Sequence, residues 1–262
     1  MSDLTQLDHA HAAMHADLND DAARMRFYER LADRELFLLL ATEPQGEDIE
    51  PELFELETDK YVLVFDREER LAEFVGQTAP YAALPGRVIA GMLAGQGIGL
   101  GVNLGVAPSS ILIPAEAMDW LAQTLSGTPD EVEAQITEIL PPSAPETLLT
   151  ALAEKLGSAG GLADYACLAG VRHADGRHGH LLGFIAPADG AERALAGAVN
   201  EALTFSGLDA GELDVGFFTP ADEIAQKLTT QGLRFDLPAP KTPEHLAPVA
   251  PGSNPEKPPI LK

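Results

Sequence analysis

Asp175-Gly176 stands between two extended apolar runs, residues 164–174 and 177–186, and no other dipeptide limits the fold as strongly. Asp-Gly supplies the positive-φ positions of a tight type I′ turn, so the two runs read as an antiparallel hairpin. The flanks follow the same rhythm. Val132, Ala134 and Ile136 alternate with Glu133, Gln135 and Thr137 as a half-buried strand. Residues 145–156 place Leu148, Leu149, Leu152 and Leu156 on one helical stripe, which Gly157 ends. Residues 191–205 form a second helix that buries Leu195, Val199, Ala202 and Leu203, and Leu213, Val215 and Phe217 alternate in a last strand. The order β-α-β-β-α-β is that of the ferredoxin-like split arrangement, with a short helix near 221–230 appended.

The first half alternates the same two periods. Ala23, Phe27 and Leu31 recur every four residues, which predicts a helix over about 20–32. Glu35-Leu-Phe-Leu-Leu-Leu-Ala41 is a run of strand length, and Tyr61-Val-Leu-Val-Phe65 reads as a buried strand. Asp66 then has the side chain to cap a short helix running through Arg70 and Phe74. Residues 43–59 hold eight acidic residues and no Lys or Arg, a solvated loop with Leu53, Phe54 and Leu56 as an edge strand. Residues 86–95 read as a helix, and residues 98–104 and 111–113 as strands. Pro114 opens another helix, with Met118, Leu121 and Leu125 on its apolar face.

The chain of 262 residues is thus expected to be α+β, with two small α/β-sandwich-like domains. Residues 1–19 are a flexible N-terminus, 20–126 a first domain and 127–237 a second, ferredoxin-like one. Residues 238–262, with 8 of the 20 prolines and no periodicity, are a proline-rich extended tail. The net charge of −24 lies on the two folded sections, −14 and −11, while the tail carries +1. Such a balance argues against nucleic acid and against an anionic membrane surface as partners. No stretch of about 18 apolar residues occurs, and the N-terminus lacks the pattern of a signal peptide. The one cysteine, Cys167, excludes an intramolecular disulfide and a thiolate-rich zinc site. A cytoplasmic location is the simplest expectation.

Candidate chemistry sits in two places. The run Gly95-Gln-Gly97-Ile-Gly99-Leu-Gly101-Val-Asn103-Leu-Gly105 invites a nucleotide reading, but here a helix precedes the glycines and they run along a strand. A dinucleotide fingerprint has them after a strand, opening a helix. Close backbone approach is the plainer role. The alternative is a ligand-cradling loop of Gly97, Gly99, Asn103 and Gly105. In the hairpin, a two-residue turn sets His173 opposite His178, with His180 on the same face. Three imidazoles with an open position are what a catalytic zinc uses. No carboxylate sits at an obvious supporting position, so an exposed polar hairpin tip is the plainer reading. His11 and His15, four apart beside Asp8, belong to the terminus expected to be disordered. Cys167 faces Phe184 by the same register, about 20 Å along the strand from His173. It reads as a core-filling thiol and not as a nucleophile.

Three segments carry a family resemblance. Tyr61-Val-Leu-Val-Phe65-Asp-Arg-Glu-Glu-Arg70-Leu, Gly97-Ile-Gly-Leu-Gly-Val-Asn103-Leu-Gly105 and Ser110-Ile-Leu-Ile-Pro114-Ala-Glu-Ala-Met-Asp-Trp120-Leu resemble the N-terminal domain of the SseB type, the enhanced serine sensitivity family. The resemblance covers about residues 25–125, and the following section looks like the family's C-terminal domain. One departure is Asn103-Leu104-Gly105 where the family has Asn-Pro-Gly, so the fixed φ of proline is lost at that turn. The resemblance implies a soluble bacterial cytoplasmic protein, linked by name and genetic context to serine sensitivity and to rhodanese-like sulfurtransferases. No catalytic motif comes with the family, and no catalytic residue and no cofactor is assigned.

The expected function is therefore a non-enzymatic interaction or regulatory protein whose acidic surface suits a basic protein partner. The alternatives are a small-ligand or metal-binding protein, an enzyme accessory linked to serine or sulfur metabolism, and a subunit of a homo-oligomer.

Overall fold

The computed structural model describes residues 4–44, 49–56, 59–127, 136–206 and 213–239. Among these residues the chain is mixed α+β, with eight helices and two mixed sheets. No helix among them is long and apolar enough to cross a membrane.

The first sheet is built around central strands that are buried on both faces. β1 (Glu35–Leu39), β2 (Leu53–Leu56) and β3 (Asp59–Phe65) come first, followed by α3 (Glu68–Val75) and β4 (Tyr81–Pro85). α4 (Gly86–Leu93), β5 (Ile98–Val102), β6 (Ile111–Ile113) and α5 (Ala115–Leu125) complete the unit. The strand order is β4-β1-β3-β5-β6, with β2 also paired to β3. All pairs are antiparallel except β3 with β5, which the crossover through α3, β4 and α4 makes parallel. Leu36, Leu38, Val62, Val64, Leu100 and Val102 face Phe27, Leu31, Ile89 and Leu121 on one side. Leu39, Leu63 and Phe65, one residue out of phase, face Leu71 of α3 on the other. Burial on both faces explains why β3 reads as a continuous apolar run and not as an alternation.

Two helices precede the sheet. α2 (Asp21–Asp33) is the expected amphipathic helix, and the Asp20 side chain accepts from the Ala23 N–H at its start. α1 (Gln6–Ala16) corrects the expectation of a flexible N-terminus. Thr5 and Asp8 form a reciprocal capping box, with Asp in the place usually held by Glu or Gln, and Leu7 is fully buried. The helix is held at its capped end, and that is why an apolar stripe does not announce it. β4 was also not anticipated, its Tyr81-Ala-Ala-Leu-Pro85 being too short and too proline-flanked to stand out.

The second sheet belongs to β7 (Ile136–Leu140), α6 (Glu146–Leu156), β8 (Tyr165–His173), β9 (His178–Ile185), α7 (Glu192–Ser206), β10 (Leu213–Phe218), α8 (Glu223–Gln231) and β11 (Leu233–Asp236). The β-α-β-β-α-β order holds, but the pairing is not ferredoxin-like. That arrangement would lay the last strand beside the first, whereas β10 pairs in parallel with β9 in the order β10-β9-β8-β11. β7 and β11 share the remaining edge of β8, β7 at residues 170–173 and β11 at residues 165–168. Ala166, Leu168, Leu182 and Phe184 face α6 and α7, while Cys167, Ala169, Val171 and Leu181 face Leu228 of α8. The expected alternation at Val132 and Ala134 and the tail from residue 240 onward lie outside the described residues.

The two units are joined through helices. Phe205 of α7 is buried in the core of the first unit, edge-on to Trp120 with ring centroids 6.5 Å apart. Beside it, four charges close a ring across α2, α4, α6 and α7. Arg87 holds both oxygens of Glu201 at 3.0 and 3.1 Å and also pairs with Asp33, and the Lys155 ammonium meets Glu201 at 2.6 Å and Asp33 at 2.7 Å. Two cations and two anions balance with no charge left over.

The aromatic anchor is the part of this junction that buries apolar surface, so Phe205→Ala is expected to cost about 3–5 kcal/mol. Urea unfolding followed by the fluorescence of Trp120 measures it. A loss below about 1 kcal/mol would mean that Phe205 does not bind the units together.

Candidate functional site

Parallel β3 and β5 bring their C-terminal ends side by side, the place where open α/β sheets hold ligands. β3 runs out into Asp66 and β5 into Asn103, whose φ of +48° lies in the left-handed region that asparagine tolerates. The Asn103 N–H donates to the Val64 carbonyl, and its side-chain oxygen accepts from the Asp66 N–H at 3.0 Å. Its amide nitrogen donates to Ser109 Oγ at 2.9 Å, and Ser109 Oγ donates to Asp8 at 2.6 Å. Arg70 of α3 donates to both oxygens of Asp8, at 3.2 and 2.5 Å, and to Asp66 at 2.7 Å. The Thr5 hydroxyl closes the cluster on Asp66 at 2.6 Å. All six residues are buried.

Burial by itself would raise the Asp8 carboxyl. Hydrogen bonds from Arg70, Ser109 and the Thr5 N–H outweigh it and hold the group well below the usual carboxylate range. Asp66 is thereby spent on Thr5 and Arg70, and α3 starts at Arg67 without the side-chain cap expected from Asp66. What the cluster does is mechanical: it pins α1, the β3–α3 corner and the β5–β6 connection to one another. Among the described residues the one buried side-chain nitrogen or oxygen without a partner is His11 Nε2, one turn along α1.

Of the predicted glycine site, the structure brings only Asn103 into this cluster. Gly97, with φ +66°, and Gly99 lie at the opposite end of β5. A Cβ on Gly99 would fall 2.6 Å from the Ile113 carbonyl oxygen and from the Tyr61 ring, so this glycine serves close strand and side-chain packing. Gly105, with φ +71°, donates its N–H to Ser110 Oγ at 3.1 Å in the turn after Asn103. The four positions do not form one cradle.

The histidine trio is corrected by the hairpin register. His173 and Arg177 bracket a three-residue loop, Ala174-Asp175-Gly176, in which Gly176 takes φ +87°. Arg172 therefore faces His178 and Gly170 faces His180, a shift of one from the two-residue turn. One residue of shift turns His173 to the other face. There it is buried, with Nε2 3.5 Å from Asp214. His178 is exposed, and His180 Nε2 lies 3.3 Å from Ser143 Oγ. No group of three or more His, Cys, Asp or Glu among the described residues is placed to hold a metal ion. Cys167 is fully buried opposite Gly183, and desolvation pushes its thiol up.

A surface that sequence patterning passed over lies above the polar cluster. α3 turns Arg70 inward and presents Glu68, Glu69 and Glu73 to solvent, with Phe74 at its rim 37% exposed. Phe74 leans on Phe65, at 5.3 Å between centroids, and on Phe54 of β2, at 6.4 Å. Leu56, 44% exposed, shares the strand face of Phe54. The result is an apolar strip edged by three glutamates, none of which forms an ion pair with a described residue. The signal was present as the acidic run of residues 43–59 beside Phe54, but it reads as a loop until β2 is seen to pair with β3.

Residues 7–120 match the family model described as the SseB protein N-terminal domain. The match includes Asp8, Asp66, Arg70, Asn103 and Ser109, and the face formed by α3 and β2. None of the curated proteins and none of the solved structures compared with the chain matches it.

Replacing Arg70 with Leu strands two buried carboxylates and is expected to cost about 3–5 kcal/mol at neutral pH. The depressed Asp8 carboxyl contributes stability that is complete above the unfolded value near 3.9 and is lost as pH falls toward the folded value. Asp8→Asn should therefore be less stable than the parent at pH 7 and lose less on acidification below about pH 4. Thermal unfolding between pH 2 and 7 decides it, and parallel curves for the two proteins would contradict this role of Asp8.

Proposed function

Since residues 7–120 are an SseB-type N-terminal domain, we propose that the chain is a non-enzymatic interaction protein that binds a basic, partly apolar segment of a partner protein on the face of α3 and β2. The observation that carries this reading is the strip of exposed Leu56 and Phe74 with half-buried Phe54 between them, bordered by Glu68, Glu69 and Glu73. Apolar residues supply the area that holds a partner, and the surrounding charge selects its sign and speeds encounter. The net charge of −24 extends the same preference beyond the strip. Four of the described cations, Arg30, Arg70, Arg87 and Lys155, serve ion pairs between elements of the fold. The carboxylates of α3 have no such duty.

The polar cluster beneath supports the reading by fixing α3. Arg70 ties the inner side of the helix to Asp8 and Asp66, so its outer side is presented on a rigid base, which lowers the ordering cost of binding.

A pull-down at low and at high salt, repeated with Phe74→Ser and with the charge-reversed pair Glu69→Lys, Glu73→Lys, tests the proposal. A partner is expected on the parent protein at low salt, lost at high salt and reduced at least tenfold on either variant. Retention of the same partner by both variants, or no specific retention by the parent at low salt, would overturn it.

A further inference from the structure

A cleft of about 270 Å³ opens between α2 of the first unit and α6 and α7 of the second. Phe205 and Ala151 form its apolar floor, Thr150, Glu146 and Glu154 stand on the α6 wall, and Arg26 and Glu29 come from α2. Clefts between packed units are a common setting for small ligands, and this one suits a molecule of a few heavy atoms.

Glu29 sets it apart. The residue is only 6% exposed, yet its carboxylate forms neither a hydrogen bond nor an ion pair with any described residue. Unlike His11 Nε2, its carboxylate is not fully cut off from solvent, but with no protein partner it depends on what enters the cleft it lines, and there it takes a donor or a cation. The cations around it are committed elsewhere. Lys155 is held by Asp33 and Glu201, Arg30 is held by Glu154, and Arg26, one turn earlier on α2, is exposed and makes no ion pair with Glu29. Desolvation pushes the Glu29 carboxyl above its ordinary range, Lys155 and Arg30 oppose that, and Asp33 and Glu154 add to it.

We infer that this cleft binds a small alkylamine, with its ammonium group on Glu29 and its methylenes against Phe205 and Ala151. An ammonium brings three donors and the compensating charge that Glu29 lacks. The Thr150 hydroxyl, on the cleft wall, spends its proton on the Glu146 carbonyl, so toward a ligand it can only accept. With Glu154 paired to Arg30 and Glu146 set against Arg26, the wall is balanced, and the preference for a cation rests on Glu29. The site is separate from the α3 and β2 face and does not depend on that reading.

The molecule carries its own reporter, because Trp120 is the sole tryptophan and touches Phe205. Titration of the full chain with n-butylammonium, followed by Trp120 fluorescence and by calorimetry, is expected to saturate, whereas butyrate and n-butanol should not. Glu29→Gln keeps the shape and removes the charge, so affinity should fall at least tenfold. Thr150→Trp, at an exposed position on the α6 wall, fills the cleft and, followed by calorimetry because it adds a second tryptophan, should abolish binding without touching Glu29. No saturable binding to the parent, equal binding of butyrate or n-butanol, or unchanged affinity in either folded variant would overturn the assignment. If Glu29→Gln does not fold, Thr150→Trp decides alone.

Discussion

A guanidinium buried between two carboxylates, Arg70 with Asp8 and Asp66, is the interaction on which the first unit depends. Removing three charges from water is expensive, and such a group persists only where every lone pair and proton finds a partner. Thr5, Asn103 and Ser109 supply those partners, and each comes from a different segment. The requirement for complete pairing therefore becomes a requirement on tertiary structure. α1 must dock by its capped end, the corner after β3 must place Asp66, and β5 must end in a left-handed asparagine. Apolar packing alone would leave α1 weakly placed, since Leu7 is the only apolar side chain it buries fully. Polar satisfaction supplies the specificity that the hydrophobic pattern there lacks.

The junction between the two units repeats this logic at the margin of solvent. Arg87, Lys155, Asp33 and Glu201 form a closed ring with no net charge, and the half-exposed members Arg87 and Asp33 soften the desolvation that Lys155 and Glu201 suffer. Surface ion pairs contribute little one by one, but a ring makes each side chain serve two bonds for one loss of freedom. Phe205 provides the apolar area, and the ring fixes the direction from which it enters. The same ring explains why Glu29 is left without a cation, because the nearest ammonium, Lys155, is already shared by two carboxylates.

Legibility from sequence followed the range of the physics involved. Local pattern located α2, α5, α6 and α7 by a helical stripe and β3, β8 and β9 by continuous apolar runs, because each is written in consecutive residues. The ferredoxin-like pairing failed because element order does not fix which strands become neighbours, and β11, a four-residue strand on the edge of β8, leaves little trace in the sequence. The hairpin failed by one residue. Asp-Gly fits a two-residue loop, but it also fits a three-residue loop with glycine in the left-handed position, and the two differ by one step of register. That step separated His173 from His178 and His180. Asn103 was singled out among the glycines, while Asp8, Arg70 and Ser109 of the same cluster were not. Ser109 lies 101 positions from Asp8, Arg70 lies 62 from Asp8, and Asp66 lies 61 from Thr5, beyond the reach of any pattern read along the chain.

The acidic balance acquires a structural cause once these networks are seen together. Seventeen basic residues serve a chain with 41 acidic ones, and the best-buried of the basic residues, Arg70 and Lys155, are drawn inward to compensate carboxylates that the fold itself has desolvated. Each cation used in this way is withdrawn together with the carboxylates it pairs, and is not available to neutralise the carboxylates that remain outside. Outer faces such as that of α3 then carry carboxylates without local compensation, at the end of a helix already fixed from below by Arg70. Internal pairing and external acidity are thus two sides of one distribution of charge. A surface of that kind repels copies of itself at long range and attracts cations, whether on a partner chain or on a small amine, and the apolar residues beneath decide which of them stays.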